Sequence, residues 1–128
     1  MKRVFILQLL CIIFIAGCNE KNPILGEWDV CTNDGRRVAT RIFTEDKMTI
    51  NSHGFVHDNK VNYKKGKERF WYVEKYSTTH TNIGPIGSET FEAIKPDTLF
   101  LHDPIGVFIL KRKNGKSDNA CEHIFLTN

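Results

Sequence analysis

The spacing of turn residues downstream of residue 24 constrains this chain more than any other feature. Short runs rich in β-branched and aromatic residues (EWDVC, RVATRIFT, KMTIN, KVNY, ERFWYVEKY, ETFEAI, TLFL, VFILKR) are separated by TNDG, TEDK, NSHG, KKGK, NIGPIG, KPD and HDPIG. Asn-Asp-Gly and Lys-Asn-Gly supply residues that tolerate positive φ, and the prolines remove a backbone donor that a central strand needs. Turns recur roughly every 8–12 residues, the rhythm of antiparallel strands meandering into a sandwich or barrel. Nothing after residue 18 places apolar residues at helical spacing over three turns. The expectation is an all-β fold, a small antiparallel meander barrel of about eight short strands, following an N-terminal signal helix. The strands ERFWYVEKY and VFILKR are apolar on both faces, which suits a barrel whose exterior is covered or meets a partner.

The first segment reads MKRVFILQLLCIIFIAGC. Lys2 and Arg3 precede an apolar stretch from Val4 to Ala16 that would span about 20 Å as a helix, short of the ~30 Å hydrocarbon core. A positive head, a short apolar middle and small residues at its end describe an export signal. Its ending, Ile15-Ala16-Gly17-Cys18, resembles the lipobox of bacterial lipoprotein signal peptides. An ordinary secretory signal or an anchor helix is the alternative. The resemblance implies that residues 1–17 are removed and that Cys18 becomes the acylated N-terminus. Several acyl chains give a stable hold on a membrane, which a single chain does not. Residues 18–24 then read as a lipidated tether and 25–128 as the barrel domain. Asn19, rather than aspartate, follows the cysteine, which in enteric-type lipoproteins favours the periplasmic leaflet of the outer membrane over the inner membrane.

Composition narrows the partners. The formal net charge of +3 falls to +1 once Lys2 and Arg3 leave, so the basic runs NYKKGKER and LKRKNGK read as solvated turns and edges. No nucleic-acid partner is expected. With Cys11 lost and Cys18 acylated, Cys31 and Cys121 remain in an oxidising compartment. A disulfide between them would staple almost the whole domain. Two free thiols, or a metal pair, are the alternatives.

ILGEWDV at the start of the domain resembles the Gly-x-Trp motif that opens lipocalin-like (calycin) barrels. In that family the glycine lets the chain enter the closed end tightly, the tryptophan plugs it, and a cation from the last strand covers the indole. The resemblance makes Trp28 the plug. If Phe108 and Leu110 point inward, alternation puts Arg112 on the same face and makes it the covering cation. The same region, WDVCTNDGRRVATRIFTEDKMTI, also resembles the small lipoprotein inhibitors of C-type lysozyme.

Catalytic chemistry finds no support in the residue pattern. There is no Gly-x-Ser-x-Gly elbow, the carboxylates Glu45 and Asp46 are adjacent and point apart, and GPIG lacks the lysine and helix of a phosphate loop. His53, His57 and Asp58, and His102 with Asp103, read as turn formers rather than converging metal ligands. No enzyme, cofactor or metal is expected. A lipid-anchored, periplasm-facing binding protein is expected instead, with an inhibitor or immunity-type protein partner meeting Phe70, Trp71, Tyr72 and Tyr76. The alternatives are a carrier of a small apolar ligand and a structural or assembly lipoprotein of the envelope.

Overall fold

The computed structural model describes residues 21–79, 84–113 and 120–121. The expected signal segment, the lipobox-like Ile15-Ala16-Gly17-Cys18 and the expected acylation site lie outside these residues. Eight strands run in sequence: β1 (Gly26–Cys31), β2 (Arg37–Phe43), β3 (Lys47–Ser52), β4 (Phe55–Lys65), β5 (Phe70–Tyr76), β6 (Gly87–Lys95), β7 (Thr98–Asp103) and β8 (Gly106–Arg112). Every neighbour pairs antiparallel, and β1 pairs with β8, so the sheet closes into a barrel with no free edge. The meander topology follows from the turns. One of the two-residue turns is His53-Gly54, with φ of 52° and 84°, which joins Ser52 directly to its partner Phe55. Two consecutive positive φ angles match the twist of the flanking strands, and glycine accepts the second without strain.

Strand β4 is longer than the KVNY run. It begins at Phe55 and takes in His57 and Asp58. Asp58 is therefore a strand residue and not a turn former; its carboxylate accepts a hydrogen bond from Thr49 Oγ1 at 2.7 Å across the β3–β4 pair. The HD dipeptide misleads because cross-strand pairing satisfies a side chain that would otherwise bond its own turn.

Period-two alternation sends one side chain of each pair inward. Trp28, Val30, Phe43, Met48, Val61, Val73, Phe91, Leu99, Leu101 and Leu110 form the interior, with Phe43 and Phe91 edge to face at 5.6 Å. Ile24 joins this core and is fully buried. The tether boundary drawn after residue 24 thus falls inside the packed domain. Ile24 is held by its backbone, whose carbonyl accepts the indole N–H of Trp28 at 2.8 Å.

The outward face of β1 is covered too. Cys31 and Cys121 form a disulfide across a sequence separation of 90 residues, with Cα atoms 5.5 Å apart. The bridge holds residue 120 over Asp29, whose carboxylate is inaccessible to solvent. Asp29 accepts hydrogen bonds from the Ala120 amide (2.9 Å) and Thr40 Oγ1 (3.3 Å), and Arg37 and Lys113 each bring a cation within 3.7 Å. A buried carboxylate is tolerated only with such company.

Candidate functional site

The two ends of the barrel differ chemically. At the end where the chain enters, Arg112 lies over the Trp28 ring, its guanidinium carbon 4.2 Å from the centroid. The fork donates from Nε to the carbonyl of Pro96 (2.9 Å), from Nη1 to Leu25 (2.7 Å) and from Nη2 to Pro23 (2.9 Å). Burial of the guanidinium lowers its pKa from the ordinary arginine value. Gly26, at φ +128°, leaves the space that Arg112 fills: a Cβ there would sit 2.4 Å from Nη1. One cation therefore ties the entry segment, the β6–β7 turn and the last strand together. This end is closed.

At the opposite end, reached by the β3–β4 and β7–β8 turns and by the segment entering β6, large apolar side chains stand in solvent. Phe55 is 81% exposed, Val56 64%, Ile86 57%, Ile105 85% and Val107 46%. Each lies within two residues of a glycine. Together they form an apolar collar around the mouth. Beside it, Arg37, His53 and Lys113 line a polar recess of about 400 Å³.

Below the mouth the interior carries charge. Arg41 pairs with Trp28 across β1–β2 and so shares its inward face. Its Nη1 donates to both oxygens of Glu89 at 3.0 Å, and the side chains are only 13% and 10% exposed. Lys75 Nζ is 3.6 Å from the same carboxylate. Arg41 Nε is buried with no hydrogen-bond partner among the described residues. Such a pair brings little net stability, since desolvation offsets most of its Coulomb gain. What it does is fill the upper interior with side chains.

Sequence reasoning missed both features. The charged pair had a signal: in RVATRIF and SETFEA, Arg41 and Glu89 sit two residues from Phe43 and Phe91, so alternation already put a charge on the core face. The collar had a weaker one, apolar residues beside turn glycines.

The four aromatics expected to form a partner surface are divided by strand alternation. Trp71 points inward against the core, with Lys65 Nζ 5.6 Å from its ring centroid. Phe70, Tyr72 and Tyr76 lie on the outer face. Phe70 is half-buried beside the His102 ring at 6.0 Å, and Tyr76 is half-buried with its hydroxyl donating to Glu74 at 2.9 Å. Only Tyr72, at 40%, is substantially exposed. The four do not share a patch. Among the described residues, no three His, Cys, Asp or Glu side chains converge as metal ligands would. His53 sits in the β3–β4 turn, His57 on β4, and His102 on β7 within 3.1 Å of Glu92.

No family model matches the chain, and no curated protein matches it. Among solved structures, the chain is similar to a lipocalin-like protein from Bacteroides uniformis ATCC 8492, at 16% identity and a TM-score of 0.46, over 72% of this chain and 100% of that one.

Proposed function

We propose that this protein is a lipid-anchored, non-catalytic binding lipoprotein of the cell envelope that takes a protein partner at the mouth of its barrel, in an inhibitor or immunity-type role. The observation that carries this reading is the collar of Phe55, Val56, Ile86, Ile105 and Val107, every member at least 46% exposed. Large apolar side chains gathered in water at one end of a barrel are costly, and in monomeric domains exposed apolar surface of this kind marks an interaction site. A carrier of a small apolar ligand needs an apolar cavity inside. Among the described residues, packed apolar side chains together with Arg41, Glu89 and Lys75 line the interior, which supports a protein partner over such a carrier. The lipobox-like Ile15-Ala16-Gly17-Cys18 supports the anchoring, and Asn19 supports the outer membrane.

The test is site-specific photo-crosslinking in cells. A photoreactive side chain at position 105 is expected to give a discrete protein adduct that disappears in a Phe55→Asp background. The same probe at position 72 should give none. A mouth that gives no Phe55-dependent adduct, in a protein that instead takes up a fluorescent fatty acid one to one, would overturn the reading in favour of a carrier.

A further inference from the structure

We infer that the closed end of the barrel is a lipid-contacting face, seated on anionic headgroups of the membrane that holds the Cys18 anchor through Lys21 and Lys95 beside an apolar cleft. This rests on the proposed acylation of Cys18. The cleft, of about 660 Å³, lies between the entry segment and the end of β6, with Lys21, Pro23, Leu25, Ile94, Lys95 and Pro96 among its lining residues. Most of that wall is apolar, with lysines at its ends of the two segments. Lys47, Lys64, Lys75, Lys111 and Lys113 each have a carboxylate within 4 Å. Lys21 and Lys95 are exposed and form no ion pair among the described residues. The same holds for Lys67, in the β4–β5 turn. The Ala93 amide donates to the Arg69 carbonyl at 2.9 Å, which brings that turn beside the end of β6. Among the described residues, Lys21 and Lys95 thus flank the cleft and Lys67 stands near it with no carboxylate within 4 Å, while the carboxylates of this end that form no ion pair, Glu45, Asp46 and Glu68, stand in the β2–β3 and β4–β5 turns and not in the cleft lining.

Chain length fixes what that end meets. Pro23, whose carbonyl is clamped by Arg112, is five residues from Cys18. At ~3.4 Å per residue, fully extended, the closed end cannot rise more than about 17 Å from an acylated Cys18. A bilayer is thus the one large surface always within reach, and uncompensated lysines near it are attracted to anionic headgroups and shielded from them only beyond a Debye length of about 10 Å. The collar lies at the far ends of strands six to eleven residues long, about 20 Å or more away. Seating the closed end on the membrane holds the mouth up toward a partner.

The experiment uses the mature lipoprotein in phosphatidylcholine vesicles with or without one third phosphatidylglycerol. Its native disulfide stays intact, and a nitroxide is placed at Ile94→Cys or Ile105→Cys. With phosphatidylglycerol, a nickel-chelating lipid is expected to relax the label at 94 and leave the label at 105 unaffected. Lys21→Glu with Lys95→Glu should weaken the contact at 94 by about five-fold for each lysine, as should raised salt in the unmutated protein. Urea unfolding checks that the double variant keeps its barrel. Equal relaxation at the two positions, or indifference to charge reversal and to phosphatidylglycerol, would overturn the inference. The mass of the N-terminal peptide reports acylation separately. If Cys18 proves unacylated, the anchoring reading fails, and coupling Cys18 to a maleimide lipid still tests the face.

Discussion

Replacing Arg112 by methionine keeps most of the aliphatic stem and removes the fork. Three carbonyls, those of Pro23, Leu25 and Pro96, lose their donor, and the Trp28 ring loses its cation. Hydrogen bonds from a charged donor contribute about 1.5–3 kcal/mol each when buried; the carbonyls here are part-exposed and regain water, so about 1 kcal/mol each is the better figure. A cation–π contact adds about 1 kcal/mol. The expected loss is therefore roughly 4 kcal/mol, a large share of what a domain of this size has. Lys111 is the internal control. It sits one residue away, donates once to Thr98 Oγ1 at 2.7 Å and approaches Asp97 at 3.9 Å. Lys111→Met should cost about 1 kcal/mol. Arg112→Lys should recover less than half of the loss, because a point charge cannot reach three carbonyls spread along a planar fork. Gly26→Ala completes the cycle. Its Cβ would collide with Nη1, so it should cost less in the Arg112→Met background than alone, the residue of its cost being strain at φ +128°. Urea unfolding of the native protein and the five variants, with m-values compared, measures all of this. If Lys111→Met proves as costly as Arg112→Met, the clamp at the closed end does not hold the barrel shut.

The disulfide and the termini give further predictions. Cys121→Ser opens a loop of 90 residues and should cost 2–5 kcal/mol, with about 4–5 kcal/mol as the chain-entropy limit. Thermal melts with and without reductant check it, and an unchanged Tm would argue against the staple. Tyr63 has its pKa raised, first by burial and then by the nearby Asp46 charge, while its hydroxyl donates to the Thr44 carbonyl at 2.6 Å. In the unfolded chain the phenol ionises near about 10, so the folded form holds the proton more tightly. That contribution is complete below pH ~10 and is lost as pH rises from there toward the folded value. Stability should fall more steeply above pH ~10 in the native protein than in Tyr63→Phe; parallel curves would refute the assignment. Cys18→Ser should abolish radioactive palmitate labelling and leave the precursor uncleaved, and labelling that persists in the variant would remove the lipobox reading.

Local chemistry alone determined much of this protein. Turn residues at regular spacing set eight strands and their antiparallel order, since each tight turn can only reverse the chain. Alternation along VFILKR put Arg112 on the face of Phe108 and Leu110, and the Gly-x-Trp resemblance supplied its partner. Counting cysteines left one pair. Tertiary structure decided everything that depends on which distant strands meet. The β1–β8 pairing sets Trp28 opposite Arg112, and closure brings Arg41 to Glu89 across 48 residues. Packing against the plug also pulls Ile24 out of the tether and into the core. Likewise, the aromatics of FWYVEKY look like one patch in a line of text, but a strand shows them to opposite sides, and only the closed barrel says which side is water. The collar arises the same way. Phe55, Ile86 and Ile105 belong to three separate turns, and no pattern within any one of them reveals that the barrel's curvature gathers them at a single mouth.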